Sequence, residues 1–148
     1  MTLRDYTTGV CMLPRLDCDA KDKVIARLVQ ALAEDGAVLD ADALMADILA
    51  REAVGDTSMG RGLAIPHARS PHVRMPRMAI ATLAEPIAYH RDRDRDVNVV
   101  ILLVGPDHEP RLLLRLLARI ARIIRLTPFL TAISQAQSPE QMLAATEI

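Results

Sequence analysis

Apolar residues change their spacing several times along the chain, and each change marks an element. From Asp19, residues Val24, Ile25, Leu28, Val29 and Leu32 form one helical stripe, with Lys21, Asp22, Arg27 and Glu34 lying off it. Asp19 is the expected N-cap and Gly36 the expected stop. A second helix is predicted from Asp40 or Asp42, burying Leu44, Met45, Ile48 and Leu49 and ending near Gly55. Met78-Ala-Ile-Ala-Thr-Leu83 has strand length. Val97-Asn-Val-Val-Ile-Leu-Leu-Val104 is so continuously apolar that it predicts a strand in a sheet covered on both faces. Gly105-Pro106 ends it, and Asp107 is the expected cap of a long helix that follows. In that helix Leu113, Leu116, Leu117, Ile120 and Ile124 share one side. Arg111, Arg115, Arg119, Arg122 and Arg125 cluster within about 120° on the other. Thr127-Pro128 opens a short helix, and Ser138-Pro139-Glu140-Gln141 opens the last one with a capping serine and proline at the first position.

Gly9 to Pro14 reads as a short strand or an extended lead-in. Helices alternating with strands predict one α/β domain over residues 1–148: a mixed sheet with helices on both faces. Of the residues, 51% are hydrophobic but only 2% aromatic, so aliphatic side chains must build the core. No run of about 18 apolar residues exists to insert into a membrane. Met1-Thr-Leu-Arg-Asp leads into no apolar signal segment, which makes the cytoplasm the expected location. A formal net charge of −1 argues against a dedicated nucleic-acid binder. Arg91-Asp-Arg-Asp-Arg-Asp96 cancels its own charge and reads as a solvated connection. Cys11 and Cys18 form no CxxC pair and read as reduced, partly buried small hydrophobes.

The candidate chemistry lies between Arg51 and His72. Gly60 and Gly62 flank Arg61, a spacing that calls for positive φ or close backbone approach and can turn amides toward an anion. Pro66 and Pro71 bracket His67-Ala-Arg-Ser70, so His67 is expected at a strand end in rigid, extended backbone. Arg51, in the last turn of its helix, is either a surface charge suited to the helix dipole or a guanidinium aimed into the loop. The four histidines, His67, His72, His90 and His108, lack the spacing and carboxylate company of a metal site, and no cofactor-binding motif is present. A histidine that accepts a phosphoryl group needs less. One ring nitrogen must be exposed, the other must donate to a fixed acceptor, and donors must hold the incoming oxygens. Arg51, Thr57 and Arg69 could be such donors, alongside the glycine-loop amides.

Leu49-Ala-Arg-Glu52, Gly55-Asp-Thr57, Gly60-x-Gly62 and Leu63-Ala-Ile-Pro-His-Ala-Arg69 together resemble the signature of the fructose/mannitol-type enzyme IIA domain. That family belongs to the phosphoenolpyruvate-dependent phosphotransferase system and includes a nitrogen-regulatory branch. The likeness continues through the 97–104 strand, Leu117-Ala118 and Ala136-Gln-Ser-Pro-Glu140. It implies the enzyme IIA fold. It also implies that His67 accepts phosphate from a histidine phosphocarrier protein and relays it to enzyme IIB or uses it as a regulatory signal. By the same resemblance Arg51 and Thr57 line the phosphohistidine site, while Arg69 matches only some members. No nucleic-acid partner and no metal are implied. The second reading is a regulatory interaction module whose phosphorylation is vestigial. One departure favours it: many members carry a second histidine near the start of the Leu-rich helix, where this chain has Leu113. His108, five residues earlier, falls about 140° away round the helix.

Overall fold

The computed structural model describes residues 2–55, 58–89 and 96–148. Two short 3₁₀ turns, Leu3–Tyr6 and Gly9–Cys11, lead into strand β1 (Met12–Leu16). Helices α1 (Lys21–Glu34) and α2 (Ala41–Val54) follow, then β2 (Ser58–Gly60), β3 (Leu63–Ala64), β4 (His67–Ser70), β5 (Arg77–Ile87) and β6 (Val97–Pro106). The chain closes with α3 (Pro110–Leu126), α4 (Phe129–Gln135) and α5 (Pro139–Ala145). The expected mixed α/β sheet is what forms. Its order is β1-β5-β6-β3-β2, with β4 also paired to β6. β6 is antiparallel to β5 and parallel to both β3 and β4.

Every residue of β6 except Asn98 is buried. Successive side chains of a strand point to opposite faces, so both faces of the sheet are covered here, as its unbroken apolar run predicts. α1 packs on β5 and β6, α2 on β4, and α3 on β6. The core is aliphatic apart from Tyr89 and Phe129. Cys11 is buried and free, and burial, with the Asp35 carboxylate adding to it, pushes its thiol above the usual value. That is an inert core thiol.

Three expectations are corrected. The N-cap of α1 is Ala20, with no side-chain cap, because the Asp19 carboxylate is taken by Lys23 Nζ at 2.7 Å. The N-cap position of α3 is Glu109 rather than Asp107, with no side-chain capping bond and Pro110 in the first turn. The strand expected at 78–83 runs on to Ile87, and the extension is edged by exposed Glu85 and Pro86. β1 resolves the choice left open at residues 9–14: a 3₁₀ turn, then a strand parallel to β5. Arg15 there takes φ +54° and its amide donates to Thr82 Oγ1 at 2.8 Å, which accounts for the shifted register. The charge run at 91–95 and His90 lie outside the described residues.

Candidate functional site

β3 and β4 are one strand with an interruption. Both keep the same offset to β6, Leu63 facing Val99 and His67 facing Leu103. Pro66 sits in the gap because it has no N–H for a ladder, yet its carbonyl still accepts from Leu103 N at 3.0 Å. Gly62 O accepts from Val99 N in the same phase. The carbonyl of Ile65, one residue out of phase, therefore points away from β6. His67 uses it: the imidazole Nδ1 lies 2.9 Å from Ile65 O. A carbonyl can only accept, so Nδ1 carries the hydrogen and Nε2 presents its lone pair.

His67 and Arg69 are two apart on β4 and so share a face, while Ala68 and Ser70 are buried on the other. They open on a cleft of about 690 Å³. α2 supplies its second wall through Asp47 and Arg51, an i,i+4 pair on one helix face. Buried Ser70 Oγ donates to Asp47 Oδ2 at 2.7 Å and so ties α2 to the end of β4. Arg51 is exposed and bonds Gly55 O at 3.2 Å, leaving most of its N–H donors for the cleft. The third wall is Asp107, Pro110, Leu113 and Leu114, at the turn from β6 into α3. Leu113 is nearly buried and packs over Gly105: a Cβ there would stand 3.6 Å from Leu113 Cβ. Two arginines and two aspartates balance one another formally around the imidazole.

Of the sequence-expected residues, Arg51, His67 and Arg69 thus come together at one cleft. Thr57 lies outside the described residues. Gly60, Arg61 and Gly62 do take positive φ, +76°, +58° and +79°. The expectation that their amides serve the histidine is corrected, however, because the turn joins β2 to β3 and packs on α3 beside Ala121 and Ile124. Arg61 Nη1 reaches Ile124 O at 3.4 Å, well along α3 from the cleft wall. His108 is mostly exposed between Asp107 and Glu109 and does not line the cleft, so it does not stand in for a second histidine. Among the described residues no group of three His, Cys, Asp or Glu side chains could hold a metal ion. Sequence reasoning missed Asp47, Asp107 and the Ile65 carbonyl. The helical spacing of Asp47 and Arg51 is the one signal that pointed to any of them.

Residues 8–147 match the family model described as "Phosphoenolpyruvate-dependent sugar phosphotransferase system, EIIA 2". The chain belongs to this family. Among its relatives is a nitrogen regulatory protein of Bradyrhizobium diazoefficiens, 31% identical over 130 residues that cover 84% of this chain and 81% of the relative. Another is the 2-O-alpha-mannosyl-D-glycerate-specific EIIABC component of Escherichia coli, 28% identical over 99% of this chain. The chain spans only 22% of that relative's length. The fold matches the nitrogen regulatory protein IIA-Ntr from Neisseria meningitidis with a TM-score of 0.85 at 20% identity, over 97% of this chain and 98% of that one. It also matches the complex of enzyme IIAMTL and phosphorylated enzyme IIBMTL from Escherichia coli, with a TM-score of 0.78 at 14% identity over 94% and 95%. No helix among the described residues is long and apolar enough to cross a membrane.

Proposed function

We propose that this enzyme IIA-type chain, taken as one unit over residues 1–148, is a cytoplasmic phosphoryl carrier with His67 as the acceptor. The lone pair of Nε2 attacks the phosphorus of a phosphohistidine on a histidine phosphocarrier protein. The new Nε2–P bond forms as the donor's N–P bond breaks, and the electron pair of that bond stays on the donor imidazole. The hydrogen stays on Nδ1, which donates it to Ile65 O and so holds the ring through the transfer. Arg51 and Arg69, both on the cleft, offer guanidinium donors to the phosphoryl oxygens, and the family resemblance assigns a hydroxyl contact to Thr57. Transfer between two protein imidazoles needs only positioning and charge stabilisation, so the step uses neither metal nor cofactor. Phosphate then passes to an enzyme IIB or remains as a regulatory signal.

The observation that carries this reading is the Nδ1–Ile65 O hydrogen bond in a cleft that also holds two arginines. One further observation favours a second reading, a regulatory interaction module with vestigial phosphorylation. Leu113 forms a wall of the His67 cleft, at the position where the family resemblance implies a second histidine in many members. Incubation with phosphoenolpyruvate, enzyme I and the cognate phosphocarrier protein separates the two. Acid-labile phosphate, read by mass spectrometry, is expected on the wild type and absent from His67→Ala. Label that persists in His67→Ala, or none on the wild type with a competent donor, defeats the carrier reading.

A further inference from the structure

The exposed face of α3 carries a charge pattern that the phosphoacceptor cleft does not use. Arg111, Arg115, Arg122 and Arg125 are exposed and Arg119 is half-buried, and the helix contains no acidic residue. Five positive charges on this helix against a chain total of −1 leave −6 on all the other residues. The charge is therefore strongly segregated. By contrast, Arg91-Asp-Arg-Asp-Arg-Asp96 alternates its arginines with acids and cancels its own charge. Arg111 and Arg115, then Arg115 and Arg119, are like-charged i,i+4 pairs, each unfavourable by about 0.2–0.5 kcal/mol. Among the described residues Arg115, Arg122 and Arg125 have no ion-pair partner, and the acid beside Ile148, Glu147, is paired with Arg4 at 2.7 Å.

This basic face is also grooved. Ala118, Ile123, Leu126 and Ile148 give an apolar floor to a depression of about 580 Å³, and Arg119 and Arg122 stand on its rim. Leu126 is 63% exposed, as is Leu114 nearer the start of the helix. Thirteen residues of helix, about 20 Å, separate Leu113 at the His67 cleft from Leu126. A floor that accepts an apolar side chain, rimmed by guanidinium groups, fits an amphipathic helix with acids beside its apolar residues. A lipid surface fits less well, because the site is concave and α3 bears no aromatic residue. Nucleic acid lacks both stacking side chains here and a favourable charge on the rest of the chain.

We propose that the distal half of α3, from Arg115 to Leu126 with Ile148, is a docking face for an acidic amphipathic helix of a partner protein, separate from the His67 cleft. The probe is a fluorescein-labelled 18-residue helical peptide with leucines on one face and glutamates on the other, followed by fluorescence anisotropy on the intact chain. Saturable binding is expected, with amide shifts in NMR confined to residues 115–127 and 148. The double variant Arg122→Glu/Arg125→Glu is expected to weaken it at least tenfold, and a lysine version of the peptide to bind that variant better than the wild type. Ala118→Trp fills the groove without changing charge and is expected to weaken binding by a similar factor. Arg122→Gln/Arg125→Gln provides the same charge test should the reversed variant fold poorly. Three results overturn the proposal: shifts that fall on the His67 cleft, peptide affinity indifferent to Ala118→Trp, and tighter association with phosphatidylserine vesicles or a 20-base-pair DNA duplex than with the peptide.

Discussion

His67 owes its orientation to a backbone oxygen two residues earlier, and that oxygen is available because the strand's phase turns it away from β6. The histidine itself, its extended backbone and the nearby arginines are legible in the sequence as Pro66-His67 and Arg69. The acceptor is not, since strand phase decides which carbonyl faces the open edge. Arg51 is exposed and makes one bond to Gly55 O, so Arg51→Ala should leave stability within about 0.5 kcal/mol of wild type. Loss of a charge-assisted contact to the phosphoryl group, worth about 1.5–3 kcal/mol, should slow phosphorylation roughly 10- to 100-fold. A large drop in the melting temperature of this variant would instead mark Arg51 as structural. Leu113 forms part of the cleft wall, nearly buried against Gly105. Leu113→His is expected to cost about 1–3 kcal/mol of stability by burying a polar ring. It should also lengthen the phosphohistidine lifetime and speed transfer; unchanged kinetics would make the absent second histidine irrelevant.

At the scale of elements, α1, α2, β6 and α3 were all readable from apolar spacing, because each buries one face or both against its neighbours. Their ends were less readable. Asp19 reads as an N-cap in isolation, but a lysine four residues on captures its carboxylate. The glycine turn shows the same division. Its positive φ angles follow from composition, whereas its position beside α3 follows from β2 folding back on β3. Gly62 combines φ +79° with a crowded surround, since a Cβ would overlap Asn98 Oδ1. Gly60 has φ +76° in open space. Gly62→Ala should therefore lose more stability in urea unfolding than Gly60→Ala, which carries only the left-handed strain of about 1–3 kcal/mol. Equal losses would show that the Asn98 side chain simply moves aside.

Across the whole molecule, a buried polar cluster joins segments distant in sequence. Glu52 on α2 accepts from Lys21 Nζ of α1 at 3.1 Å and from Tyr89 Oη, beyond β5, at 2.8 Å. Lys21 also lies 4.7 Å over the Tyr89 ring. Glu52 follows Arg51 directly, so this cluster fixes the end of α2 from which Arg51 reaches the cleft. Tyr89→Phe removes one donor from a buried carboxylate and should lower stability by about 1–2 kcal/mol, read as a lower urea midpoint with unchanged slope. An unchanged midpoint would mean that the other contacts of Glu52 suffice.

Local chemistry in the chain determined the periodic elements, the rigid Pro66-His67 entry and the left-handed glycine turn, because these depend on neighbours a few residues apart. The enzyme IIA likeness was also readable, since its motifs recur in order along the chain. Only the tertiary structure decided that α2, β4 and the start of α3 enclose one cleft, with Asp47 and Asp107 beside the arginines. It also decided that the glycine turn lies elsewhere and that His108 faces solvent. Those placements depend on sheet pairing between segments some 36 residues apart, such as His67 with Leu103, which no local pattern encodes.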